Sequence, residues 1–311
     1  MSGHHDHGHH HHHSVPADAG GRLILALVIT FGFVGVEIVA GLWANSLALL
    51  TDAAHNASDV LALLLSWIAL WLTRRPAHAR KTFGYHRAGI LAAFVNSLTL
   101  VGIALGIGWE AIERLQNPLE VDAPIMIGVS LIAVLVNAGT AWLVYRGSEN
   151  DLNLRSAFVH LMGDVLSTIG ATIAGAIIFF TNWRWLDPLV SVLIAGFIIW
   201  HAWQILRDSI DVLLEATPRD IDVDKVVSDL QTIPGVQAIH DLHIWSITAS
   251  MRALSAHVVT NQQDPQRSPQ LINAINELLC HSYNIGHATL QLECSCNTTQ
   301  LYCTLTEQHQ H

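Results

Sequence analysis

Apolar residues fall in six long blocks, at 23–44, 46–73, 87–114, 124–145, 153–182 and 186–213, separated by short polar stretches. Each block exceeds the ~20 residues an α-helix needs to cross the hydrocarbon core of a bilayer. The pattern therefore predicts six transmembrane helices. After Pro218 the pattern changes. DIDVDKVVSDLQTI is amphipathic at helical spacing, while VQAIHDLHIWSI and RALSAHVVT read as strands. SPQLINAINELLCHSY reads as a second helix and HATLQLE as a third strand. The order α-β-β-α-β predicts a small α+β domain with its helices on one face of a sheet. The chain thus divides into a polar His-rich leader (1–21), expected to be disordered, a six-helix membrane domain (22–214), an α+β domain (215–293) and a tail (294–311) without periodicity.

Composition supports a polytopic membrane protein. Of the 311 residues, 51% are hydrophobic and 13% charged, with a mean hydropathy of +0.38. Soluble domains carry about twice that charged fraction. Lys and Arg set the orientation. With the N-terminus inside, the cytoplasmic flanks hold Arg22, Arg74, Arg75, Arg80, Lys81, Arg87, Arg146, Arg155 and Arg207, against Arg114 and Arg184 outside. Both termini are then cytoplasmic. The formal charge is −10 and no long basic run points to nucleic acid. The four cysteines, Cys280, Cys294, Cys296 and Cys303, lie near the C-terminal end. If that end is cytosolic, a disulfide framework is not expected there.

The second block reads SLALLTDAAHNASDVLALLLSWIALWLT and carries Asp52, His55 and Asp59 near its middle. His55 and Asp59 are four apart and share a helix face, with Asp52 on the same side. At 1.5 Å per residue, His55 sits about 14 Å into the span. A carboxylate at that depth costs several kcal/mol unless a partner offsets it. The fifth block repeats the arrangement in VHLMGDVL, with His160 and Asp164 about 12–18 Å from the cytosolic end. AHNASDVL and VHLMGDVL agree at His, Asp, Val and Leu, and their blocks are three apart in the order, so they run in opposite directions. An inverted repeat with a midplane site would look like this.

Two imidazoles and two carboxylates suit tetrahedral Zn2+; Co2+ fits the same donors, and Cd2+ is a further choice. Mixed nitrogen and oxygen donors argue against Mg2+ or Ca2+. Ligands must lose protons to bind metal, and free histidine titrates near pH 6.5, so protons compete with the metal. A single buried His–Asp pair also fits an interhelical hydrogen bond. Glu37, Asn96, Asn137 and Asp187 are polar residues that either line a pathway or pack helices, and Asp52 is a supporting group or an access step. Three other readings remain open: an exporter of another divalent metal, a membrane metal sensor, and an intramembrane metalloenzyme with Asp52 as base.

Six helices, paired HxxxD motifs, the His-rich leader and the α+β domain together resemble the cation diffusion facilitators. SLALLTDAAHNASD, TFGYHRAGILAAFVNS, HDLHIW and HATLQLE resemble the zinc/cadmium/cobalt efflux branch of bacteria. The resemblance covers nearly the whole chain. It implies a homodimer in the bacterial inner membrane that exports Zn2+ (or Cd2+ or Co2+) against protons by alternating access. His55, Asp59, His160 and Asp164 would form the transport site. It implies a secondary transporter rather than an enzyme, with no cofactor, and a metallochaperone-like cytosolic fold. It also implies a salt bridge between Arg87 and Glu215 that helps hold the dimer. Some relatives place a further metal site between helices 2 and 3; Lys81 and Tyr85 stand here where those relatives carry His.

In HATLQLE, Ala288, Leu290 and Leu292 alternate toward a core and leave His287, Gln291 and Glu293 on the other face. His240, His257 and Glu293 resemble the positions of cytosolic metal ligands in relatives, which suggests Zn2+ as a regulatory ligand. Gln291 stands where relatives can carry His, and His243 reads as a surface or packing residue. Cys294 and Cys296 form a CxC that could extend this site with soft thiolate donors.

Overall fold

The computed structural model describes residues 17–145, 152–248, 250–260, 268–293 and 301; the side chains of 17–27, 143–144, 152–157 and 159–160 lie outside the described set. Six long helices come first: α1 (Ala17–Trp43), α2 (Leu47–Thr73), α3 (Ala88–Gln116), α4 (Ala123–Tyr145), α5 (Leu152–Thr181) and α6 (Leu186–Leu213). Five have a described segment long and apolar enough to cross a membrane, and the described apolar part of α1, Val28–Trp43, is shorter. Their bounds match the apolar blocks to within two residues, except at α1. That helix takes in Ala17–Gly21, which the sequence pattern assigns to a disordered leader. Extending a nucleated helix adds a hydrogen bond per residue at little cost, so α1 runs past the edge of its apolar block. Two compact units emerge, Met1–Leu61 with Thr99–His201 and Ala62–Leu98 with Ala202–His311.

In the first unit, α4 packs on α5 and on α1. The α1–α2 turn is tight for identifiable reasons. Asn45 ends α1 in the left-handed region at φ 52, and Ser46 N donates to Gly41 O at 3.0 Å, a Schellman closure. A Cβ on Gly41 would lie 2.8 Å from Leu50 Cδ2, so only glycine lets the two helices approach there. The next helix start is capped from a distance. Asp187, fully buried at the head of α6, accepts hydrogen bonds from Ser46 Oγ at 2.7 Å, Leu47 N at 2.8 Å and Ala48 N at 3.2 Å. A negative group at a helix N-terminus satisfies its unpaired N–H groups and complements its dipole. His55 lies nine residues beyond Ser46, so this cap sets the depth of His55 in α2.

The second unit contains the C-terminal domain: α7 (Val223–Gln231), β1 (Val236–Ser246), β2 (Arg252–Thr260), α8 (Ser268–Tyr283) and β3 (Ile285–Glu293). The sheet order is β1-β2-β3, antiparallel then parallel, as a helix crossover between β2 and β3 requires. Val226 and Leu230 of α7 and Leu271, Ile275 and Leu279 of α8 bury against Ile239, Leu242, Leu254, Ala256 and Val258 of the sheet. Asp222 caps α7, and Tyr283 Oη donates to Asp229 at 2.6 Å, joining the two helices. Burial and then Asp229 push the Tyr283 hydroxyl up to about 12. β1 is interrupted: His240 pairs with His257 and His243 with Ser255, so Asp241 and Leu242 together face Ala256. Asp241 is the extra residue of this bulge, in the left-handed region at φ 51. The N–H of Leu242 donates to Leu301 O at 2.9 Å.

Replacing the Asp187 carboxylate tests the cap. Asp187→Ala removes the two oxygens that accept three hydrogen bonds at a buried helix start and is expected to cost on the order of 2–3 kcal/mol. Asp187→Asn, which keeps one acceptor oxygen, should lose less. Thermal unfolding in detergent reads the order of the three proteins.

Candidate metal centres

The intramembrane residues singled out by spacing converge. His55 Nε2 lies 3.0 Å from Asp164 Oδ1 on α5 and 3.8 Å from Asp59 Oδ2 one turn along α2. Ligand atoms of His55, Asp59 and Asp164 all lie within 4.8 Å of one another, the separation a single cation can bridge. Asp164 is buried, and His55 and Asp59 are half-buried. His160 lies on α5 one turn before Asp164, and its side chain is outside the described set.

Around this cluster is a polar shell. Asp52, 2% exposed, accepts from Thr168 Oγ1 at 3.1 Å through Oδ2. Thr168 Oγ1 also lies 2.8 Å from the Asp164 carbonyl, and Asn137 Nδ2 donates to Thr168 Oγ1 at 3.1 Å. The hydroxyl has one proton, so it serves Asp52 or the Asp164 carbonyl at a given moment. Fully buried Glu37 of α1 accepts from Asn56, the residue after His55, at 3.1 Å. Glu37 Oε1 and Asp52 Oδ1 are buried with no hydrogen-bond partner among the described residues. Thr168 was invisible to sequence reasoning because its role depends on α4 and α2. Asp187, weighed with Glu37 as pathway or packing, is the cap described above. Asn96 is half-buried on α3.

A second cluster lies on the sheet face opposite α7 and α8. His240 and His257 are register partners on β1 and β2, with ring centroids 5.0 Å apart and nearly perpendicular. Glu293 of β3 reaches both: Oε2 lies 3.1 Å from His240 Nε2, and Oε1 lies 2.9 Å from His257 Nδ1. Burial raises the Glu293 carboxyl, but hydrogen bonds from His240 and Gln291 and the charges of His257 and His240 outweigh it and hold the group below its ordinary range. Gln291 donates to Glu293 at 2.9 Å and so supports a carboxylate rather than offering a ligand of its own. His243, half-exposed, sits 3.2 Å from Asp241. Cys294 and Cys296 lie outside the described residues.

Arg87 Nη2 lies 3.0 Å from Glu215 Oε1 within one chain. Glu215 takes φ 59 in a Schellman closure of α6, with Ala216 N donating to Asp211 O at 2.9 Å. An exposed pair of this kind contributes ~1 kcal/mol or less. In the α2–α3 loop, His78 contacts Tyr85 Oη at 3.4 Å, and no metal cluster forms there among the described residues.

Thr168→Val leaves buried Asn137 and Asp52 short of a partner and is expected to cost about 1–3 kcal/mol. Thr168→Ser keeps the hydroxyl and should recover most of that loss in the same unfolding measurement.

Comparison with known proteins fits this layout. Residues 23–214 match the family model described as the cation efflux transmembrane domain, and residues 218–295 that of the cation efflux protein cytoplasmic domain. The chain is 40% identical to the cadmium, cobalt and zinc/H(+)-K(+) antiporter of Bacillus subtilis, over 87% of this chain and 88% of that one. It is 39% identical to the zinc transporter ZitB of Escherichia coli, over 88% and 87%. It is 36% identical to the metal cation efflux system protein CzcD of Cupriavidus metallidurans, over 94% and 90%. A solved structure, the metal-bound C-terminal domain of the CzcD transporter, is 30% identical, covers 24% of this chain and 99% of its own, and has a TM-score of 0.22. The chain is a six-helix membrane protein with a C-terminal α+β domain, and it belongs to the cation efflux, or cation diffusion facilitator, family of transporters.

Proposed function

We propose that the protein exports Zn2+ from the cytosol in exchange for protons, through a site built from His55, Asp59, Asp164 and His160. The convergence of His55 with carboxylates from two helices, in the middle of apolar spans, carries this reading. Relatives whose names specify zinc, cadmium and cobalt support the class of cargo. The family is one of transporters, so the metalloenzyme alternative falls, and the sites bind cargo without covalent chemistry. A pure sensor would not need ligands matched across two membrane helices. Cd2+ and Co2+ fit the same donors.

The mechanism follows from competition for lone pairs. With the site open to the cytosol, the imidazoles and carboxylates bind Zn2+ and release protons. With the site open outward, incoming protons displace the metal, and the inward proton gradient drives export. His55 and His160 are the main exchanging groups, and the Asp pair neutralises the cation's charge. The transport domain spans 22–214, the cytosolic domain 215–293 and the tail 294–311. Excess Lys and Arg on one side supports an orientation with both termini in the cytoplasm of a bacterial cell and the chain in its inner membrane. The chain works as a homodimer, in which Arg87 and Glu215 brace the membrane–cytosol junction. His240, His257 and Glu293 hold a regulatory Zn2+.

Flux into liposomes tests the reading. Under an imposed pH gradient the native chain should move Zn2+, and Asp59→Ala with Asp164→Ala should abolish the movement. A folded native protein that binds Zn2+ but moves none under a proton or potassium gradient would sink the exporter. Flux that follows only the potassium gradient would replace the counter-ion. Acidification should weaken Zn2+ binding at the transport site by up to about tenfold per pH unit for each ligand group that takes up a proton. Titration calorimetry at several pH values measures that slope.

A further inference from the structure

We propose that Asp241, held by His243, is the carboxylate that orients His257 toward a metal in the cytosolic cluster; the proposal rests on the reading of that cluster as a metal site. The His257 ring lies between two carboxylates. Its Nδ1 faces Glu293 Oε1 at 2.9 Å, on the side shared with His240, and its Nε2 faces Asp241 Oδ2 at 3.5 Å. An imidazole that gives one nitrogen to a metal carries its proton on the other, and that proton needs an acceptor. Asp241 supplies one on the side away from Glu293. At 3.5 Å the two groups are within ion-pair distance.

Two further features show that Asp241 is placed rather than incidental. It is the extra residue of the β1 bulge and takes a left-handed φ of 51, a conformation that aspartate adopts at some cost. Its other oxygen, Oδ1, lies 3.2 Å from His243 Nε2. The order His243, Asp241, His257, metal site is the carboxylate–histidine–metal arrangement in which the outer carboxylate fixes the tautomer and raises ligand basicity. Asp241 is a positioning residue here and makes no bond to the metal. His243, which reads from sequence as a surface residue, gains a role as the group that steadies the carboxylate.

The test uses the full chain carrying Asp59→Ala and Asp164→Ala, which silences the transport site. Zn2+ binding is followed by calorimetry, and Co2+ binding by its visible absorption. The component lost in His240→Ala with His257→Ala defines the cytosolic site. Asp241→Gly keeps the left-handed backbone and removes the carboxylate. It is expected to weaken that component about 10–100-fold while leaving the shape of the Co2+ spectrum unchanged. Asp241→Asn tolerates the same backbone and keeps an acceptor oxygen, so it should recover most of the affinity. Unchanged affinity in Asp241→Gly overturns the proposal. A Co2+ spectrum altered in both Asp241 variants also overturns it, because Asp241 would then be a direct ligand. If the His240 and His257 changes remove no binding component, the cluster is not a metal site, and the failure lies in that reading.

Discussion

A carboxylate inside a membrane is stabilised by donors or by a cation, and that requirement sets Asp187 apart from Asp59 and Asp164. Asp187 is answered by donors: one hydroxyl and two backbone N–H groups at the head of α2 converge on it. Both oxygens are engaged at the start of α2, and the residue acts as a structural pin. Asp59 and Asp164 are answered differently, by an imidazole that can itself be replaced. Intramembrane charge is too expensive to keep without return. The nature of the answering group therefore separates a structural pin from the cluster proposed to bind metal.

The two roles are linked along α2. The cap at Ser46 fixes where the helix begins, and the 1.5 Å rise per residue then fixes where His55 stands, about 13 Å further in. The Schellman turn at Asn45 and the close approach at Gly41 leave that start little freedom. α5 brings Asp164 to the same level, and its Thr168 ties Asp52 and Asn137 into the surroundings. A cluster spread over two helices holds its geometry only if both helices are fixed in register, and the polar contacts around it do this where hydrophobic burial cannot discriminate between helix and lipid.

Much of this was legible in the sequence, because apolar block length and i,i+4 spacing are local signals. The six spans and the His55–Asp59 pair follow from them directly, and the match at Asp164 follows from internal repetition. α1 starts at Ala17, ahead of its apolar block, because hydropathy marks the edge of an apolar block, whereas a helix ends where its hydrogen bonding ends. Asp187 and Thr168 were not legible, since their partners lie far off in the chain. The bulge at Asp241 did leave a trace. His240 and His243 are three apart in a strand, which a strict period of two would place on opposite faces. Two histidines on one face at that spacing require an extra residue between them.

That extra residue has a consequence for how β1 tolerates length changes. Ile239, Leu242 and Ile244 face the core on either side of Asp241, so the alternation resumes in phase beyond it. An in-frame deletion of Asp241 would leave Ile239, His240, Leu242 and His243 on their present sides. Loss of a single neighbouring residue such as Ile244 would instead invert every side chain on one side of the cut. The strand thus carries a removable link: one codon can be lost with the sheet's inside and outside preserved and only the carboxylate gone.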